Sequence, residues 1–192
     1  MELKDIKLGF AVTGSFCTIA KILPQMELLT TLTQSVIPIF SPIVYNTDTR
    51  FTNAKELAEK VENITGNKII KTIPEAEPIG PKKTFDALVI APCTGNTASK
   101  IANGITDTSV TMAAKASLRN KIPVVIAIST NDGLSGSAKN IATLLNTKGI
   151  YFVPFGQDDF IKKETSLVSD MNLIKDTLEQ ALTGRQIQPL LV

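Results

Sequence analysis

The residues from Ala91 to Asp107, APCTGNTASKIANGITD, gather hydroxyls, an amide, a lysine and a carboxylate directly after the strongest apolar run of the chain, FDALVIA. Side chains of these types bind anions and polar ligands. The sequence contains no histidine. Ser-His-Asp and Cys-His catalysis within this chain are therefore excluded, as are histidine metal sites. Cys17 and Cys93 are the only cysteines, too few for a four-thiolate zinc site. No metal is expected. Chemistry must rest on carboxylates, lysine, tyrosine, hydroxyls, cysteine or a bound cofactor. Cys93 lacks a base partner, so a small buried residue is the expected role for it and for Cys17.

The elements that would position these groups follow from the apolar pattern. Ile6 to Val12 reads as a strand ending in Thr13-Gly14-Ser15. Phe16 to Leu32 has a helical period, with Pro24 expected to kink or divide it. Val36 to Phe40 is a second strand, interrupted by Pro38, followed by the loop SPIVYNTDTRF. Asn53 to Ile64 is an amphipathic helix; Asn53 with Glu56 resembles a capping box, and Gly66 stops the helix. Lys68 to Lys71 is a short strand, and TIPEAEPIGPKK a proline-rich loop with room for one helical turn.

Phe85 to Ala91 is the fourth strand, and Thr97 to Asn103 a short helix. Asp107 should cap a helix over Thr108 to Asn120 or form an internal ion pair with Lys100. Pro123 to Ile128, Ala138 to Asn146 and Ile150 to Val153 read as strand, helix and strand. Leu167 to Leu182 reads as a last helix, and the tail over residues 185–192 as flexible or docked on a partner. Strands alternating with helices predict an α/β fold: a three-layer, Rossmann-like, doubly wound parallel sheet in one domain over residues 1–192.

In such sheets ligands bind beyond the C-terminal strand ends, where strand order reverses. There the first and fourth strands are neighbours. Their following loops, Thr13-Gly14-Ser15-Phe16 and Pro92-Cys93-Thr94-Gly95-Asn96-Thr97, should meet, with Ser41 on the same edge. Both loops lead into helix N-termini, which offer free N–H donors. Neither a G-x-G-x-x-G fingerprint nor a Walker lysine loop is present. At Gly14-Ser15 a plain tight turn explains the residues equally well.

Charge and length bound the remaining classes. The chain has 192 residues and a net charge of +2, with basic residues scattered. That argues against nucleic acid or a charged membrane surface as a partner. No apolar run approaches the roughly 20 residues of a membrane span. The first residues, MELKDIKLGF, hold no apolar signal segment, so the cytoplasm is the expected location.

Pro92, Thr94, Asn96, Thr97, Lys100, Gly104 and Asp107 match an AP-x-T-x-NT-x-x-K-x-x-x-G-x-x-D signature. In this the chain resembles the flavoprotein family of phosphopantothenoylcysteine decarboxylases, lantibiotic decarboxylases and flavin prenyltransferases. The resemblance implies bound FMN and a homo-oligomer, often built from trimers, with FMN near a subunit interface. It assigns Gly14, Ser15, Phe16, Ser41, Pro92, Thr94, Asn96 and Thr97 to the cofactor.

The stretches GSFCT, SPIVYNTDTRF and AISTNDGLSGSAKNI are similar to one branch of that family. Its members act with a second subunit, during spore formation, to oxidise a dihydropyridine dicarboxylate to the aromatic pyridine. Two departures set the chain apart from the decarboxylases. Their histidine before the fourth strand is absent from EPIGPKKTFD, and of their P-A-M-N motif only Asn131 remains. Cysteine decarboxylation is therefore not expected. Arg50, Lys82 and Lys83 are substrate candidates, since a dicarboxylate needs cations, and Asn131 is a fourth as the remaining residue of that motif. Another FMN enzyme of the fold, or a flavin-binding scaffold for a catalytic partner, are the alternatives.

Overall fold

The computed structural model describes residues 2–192. Its centre is a sheet whose five longest-paired strands are parallel: β1 (Lys7–Val12), β2 (Ser35–Phe40), β3 (Ala87–Cys93), β4 (Val124–Thr130) and β5 (Ile150–Phe152). The spatial order runs β2-β1-β3-β4, with β5 beside the first half of β4. β3 is buried along its whole length, as expected of a parallel strand covered on both faces.

Alternate residues of each strand feed two cores. Phe10, Val12, Val89 and Val125 face the layer of α1 (Phe16–Leu32), α3 (Ala54–Thr65) and α9 (Ile174–Leu182). Leu88, Ile90, Ile126 and Ile128 face α6 (Gly95–Ala102), α7 (Ser109–Arg119) and α8 (Ala138–Leu145). The helix α2 (Pro42–Asn46) follows β2, and α4 (Ile73–Ala76) and α5 (Ile79–Lys82) precede β3. Among the described residues no helix is long and apolar enough to cross a membrane.

The prolines behave differently from their sequence reading. Pro24 neither divides α1 nor ends it. It lies on the exposed side, as does Ala20 one turn earlier, so the carbonyl it leaves unpaired meets water. Pro38 sits within β2 because β2 is an outer strand. The Pro38 carbonyl accepts the Ile70 N–H, so the residue points to the outer edge and takes no bond from β1. Lys68 to Lys71 contributes only the Ile39–Ile70 bridge, not a strand.

Several ends also differ. The Asn53 side chain caps α3 by accepting from Lys55 and Glu56 N–H groups, and Gly66 stops the helix at φ 65°. Thr108, not Asp107, caps α7 by accepting from Thr111 N–H. Asp107 instead binds Lys100 at 2.8 Å, which holds its carboxyl below the usual range. Leu167 to Leu182 is not one helix. Leu167–Ser169 is the antiparallel strand β7, which pairs with the end of β4 and with β6 (Phe155–Gly156), and a 3-10 turn at Met171–Leu173 leads into α9. The sheet is therefore mixed at this edge. The tail docks on its own chain: Gln186 bonds both the N–H and the carbonyl of Phe152, and Val192 N–H bonds Phe155 O.

Candidate functional site

The loops after β1 and β3 meet, and one residue joins them. Buried Thr13 donates to the Pro92 carbonyl at 2.7 Å and accepts the Thr94 N–H at 3.0 Å. The β3–β4 ladder shifts register between Ile90 and Cys93, which is where Pro92 sits. A proline can occupy that irregularity because no ladder donor is required of it there. The shift brings the Pro92 carbonyl to Thr13 and lets β3 extend to Cys93, two residues beyond the end read from the sequence.

Beyond this junction lies a cleft of ≈ 780 Å³, within the usual range for small-molecule sites. Gly14, Ser15 and Phe16 line one wall, Thr94, Gly95 and Asn96 the next, and Ser129, Thr130 and Asn131 a third. Arg50 and Phe51 reach in from the loop before α3, with the Arg50 guanidinium 4.8 Å from the Phe51 ring centre. Ser15, Thr18 and Ser129 form a hydroxyl triangle: Ser15 to Ser129 is 2.8 Å and Thr18 to Ser129 is 2.9 Å. It fixes the start of α1 to the end of β4. The first N–H groups of α1 and α6 have no intrahelical partner, which gives the cleft a positive character.

Gly95 is required by packing. A Cβ there would stand 2.6 Å from Thr130 Oγ1 and 2.8 Å from Asp132 Oδ1. Thr130 and Ser137 both bond the Asp132 carboxylate, so this wall is a connected polar network against the start of α6.

The residues expected at the site divide into groups. Gly14, Ser15, Phe16, Thr94, Asn96, Arg50 and Asn131 line the cleft together. Pro92 and Thr97 lie beneath it: Pro92 is tied to Thr13, and the Thr97 hydroxyl accepts from Thr94 at 3.0 Å. Ser41 precedes α2, with its N–H on the Val12 carbonyl. Its hydroxyl is buried at the turn from β2 to α2 with no hydrogen-bond partner among the described residues, and this burial leaves Ser41 off the lining of the cleft. Lys82 and Lys83 are not brought to this cleft. They precede β3, and Lys83 lines a hollow with Lys121, Pro123 and Gly149, at the opposite ends of the strands.

Sequence reasoning placed Thr13 in the first of the two loops but not its bridging role, and it missed Lys21, Ser129, Asp158 and Lys163. Ser129 stands at a C-terminal strand end, so the rule that found the other loops would have found it. Cys17, expected to be buried, is exposed and lines the cleft, whereas Cys93 is buried, and burial pushes its thiol up to about 12.

The cleft suits a flavin nucleotide. Its volume is adequate, and the starts of two helices, at Ser15 and Thr94, line it and suit an anion. Comparison with known proteins agrees. The chain belongs to the Flavoprotein family, which matches residues 1–182. It is 48% identical to the B subunit of dipicolinate synthase from Bacillus subtilis (strain 168) over 191 residues, covering 100% of this chain and 96% of that protein. The crystal structure of the corresponding B subunit of dipicolinate synthase from Bacillus halodurans C superposes with a TM-score of 0.91 at 47% identity, covering 100% and 98% of the two chains. The FMN-dependent cysteine decarboxylase SpaF shares the fold, with a TM-score of 0.68 at 23% identity over 93% of this chain and 98% of that one.

Proposed function

We propose that this chain is the FMN-binding B subunit of a dipicolinate synthase. It would act with an A subunit to convert a dihydrodipicolinate-type precursor to dipicolinate during spore formation. The carrying observation is the convergence of the Gly14–Phe16, Thr94–Asn96 and Ser129–Asn131 segments on one cleft in a chain 48% identical to such a subunit over its full length. Aromatisation of a dihydropyridine removes a hydride and a proton, and bound FMN supplies a hydride acceptor. The chain's own residues bind and orient. Ser15, Ser41 and the first N–H groups of α1 suit the phosphate, with Gly14 and Phe16 beside it. Thr94 and Asn96 suit the ring, with Pro92 and Thr97 supporting them from below. Arg50 and Asn131 suit the substrate, Arg50 by pairing with a carboxylate.

This reading makes the protein a flavin-dependent oxidoreductase subunit. Ile43 on α2, and Phe51, Leu134, Phe160 and Ile161 on the loops that also carry Arg50, Asn131 and Lys163, are exposed apolar residues, which supports a homo-oligomer closing over the cleft. Light scattering that returned only monomer would remove that part. The main test is anaerobic. Protein loaded with FMN should show the flavin absorbance band, and dihydrodipicolinate should bleach it. Protein that stays colourless with added FMN overturns the reading. A band that never bleaches, with the A subunit alone making dipicolinate at full rate, leaves only a scaffold role.

A further inference from the structure

Arg50 is one of three cations in the cleft, and the other two have no role so far. Lys21 comes from the second turn of α1 and Lys163 from the loop joining β6 and β7, and both line the cleft with Arg50. Three segments distant in sequence thus deliver cations to one concavity. The single carboxylate lining it with them is Asp158. Helix N-termini add further positive potential. One anionic group would not call for so many cations; two separated anionic groups would.

Lys163 differs from an ordinary solvated lysine. Asp158 holds its ammonium at 2.6 Å, and this hydrogen bond raises its affinity for the proton. The loop that carries it is folded on itself. Asp159 Oδ1 accepts the Ile161 and Lys162 N–H groups, the Lys163 N–H bonds the Asp159 carbonyl at 2.7 Å, and Gln157 bonds the Glu164 carbonyl. Lys163 is therefore presented on an ordered turn, exposed but held by Asp158 at the cleft. The adjacent Lys162 is likewise exposed but does not line the cleft.

We propose that Lys163, positioned by Asp158, and Lys21 are substrate-binding residues that set specificity, and that with Arg50 they recognise the two carboxylates of a small planar dicarboxylate. This rests on the function proposed above and names the residues that read the substrate. The β6–β7 loop then distinguishes a dicarboxylate from a monocarboxylate, because Lys163 adds a cation for the second carboxylate to those that Arg50 and Lys21 bring to the same cleft.

Calorimetric titration of FMN-saturated protein with pyridine-2,6-dicarboxylate and with pyridine-2-carboxylate tests this. Lys163→Ala should weaken the dicarboxylate about tenfold, the loss of one charge-assisted hydrogen bond, and weaken the monocarboxylate less. Lys163→Arg should restore most of the affinity, and Lys162→Ala should change nothing. FMN affinity, read by fluorescence quenching, should be the same in all of these. Equal dicarboxylate affinity in wild type and Lys163→Ala overturns the proposal. So does a parallel loss of FMN affinity in Lys163→Ala and Lys21→Ala, since the cations would then serve the flavin phosphate. If the wild type takes up no FMN, the flavin reading fails, and the same titration of flavin-free protein still decides: dicarboxylate binding that depends on Lys163 upholds the inference, and no binding overturns it.

Discussion

The two cysteines show how one residue type takes opposite roles from position alone. Cys93 ends a strand buried on both faces, and burial without a compensating charge pushes its thiol from 9.0 to about 12. Cys17 stands at the exposed start of α1, on the cleft wall. A thiol reagent near neutral pH should therefore modify one cysteine in the native protein and both after denaturation, with the native label mapped to Cys17 by peptide mass. The pH dependence has a definite sign. The folded state keeps the Cys93 proton to higher pH than the unfolded state, so this contribution to stability is full below pH 9.0 and is lost as pH rises towards about 12. Unfolding midpoints across that window should fall less steeply in Cys93→Ala than in wild type. Equal slopes would show that the thiol titrates normally in the folded protein.

At the scale of elements, the site depends on how β1 and β3 hand over to α1 and α6. Thr13 is the single side chain bonded to both ends of the β3 loop. Thr13→Val keeps the shape but leaves the Pro92 carbonyl and the Thr94 N–H without their buried partner. That should cost about 1–3 kcal/mol of stability. A chain of this size loses about 2–4 °C of Tm per kcal/mol. FMN affinity should fall with it, whereas Thr13→Ser should retain both; calorimetry and fluorescence quenching check the pair. A Thr13→Val protein with unchanged Tm and FMN affinity would show that the loops hold their places without this clamp.

This junction was legible in outline. Alternating strands and helices imply that the first and fourth strand segments are neighbours, and their polar loops were visible as text. The clamping role of Thr13 was not, because its partners lie 79 and 81 residues away. The β7 strand was hidden for a related reason. Leu167–Ser169 is too short to show a period of its own, and its apolar residues extend the helical spacing of α9. Pairing with Ser129 and Thr130 decides its state, and that same pairing folds back the loop that carries Asp158 and Lys163 to the cleft.

Taken as a whole molecule, the protein joins two cores through one sheet and places the cleft where both helical layers begin. Ser15 and Thr18 on α1 and Ser129 on β4 meet there, and the wall formed by Thr130, Asp132 and Ser137 braces α6. A ligand seated in the cleft therefore touches elements from both layers and binds only when all of them are in place. Such a ligand stabilises the entire fold, by about 2.7 kcal/mol at a hundredfold excess over its Kd. FMN at that excess should accordingly raise Tm by about 5–10 °C, given about 2–4 °C per kcal/mol. The shift should appear as one cooperative transition moving upward, because no part of the sheet can unfold and leave the cleft intact. Riboflavin, which lacks the phosphate, should give a smaller shift if the α1 N-terminus and Ser41 bind that group. Calorimetric scans with FMN, riboflavin and neither separate the outcomes. Equal shifts for the two flavins would move the phosphate away from Ser15 and Ser41, and no shift with either would remove the flavin from this cleft.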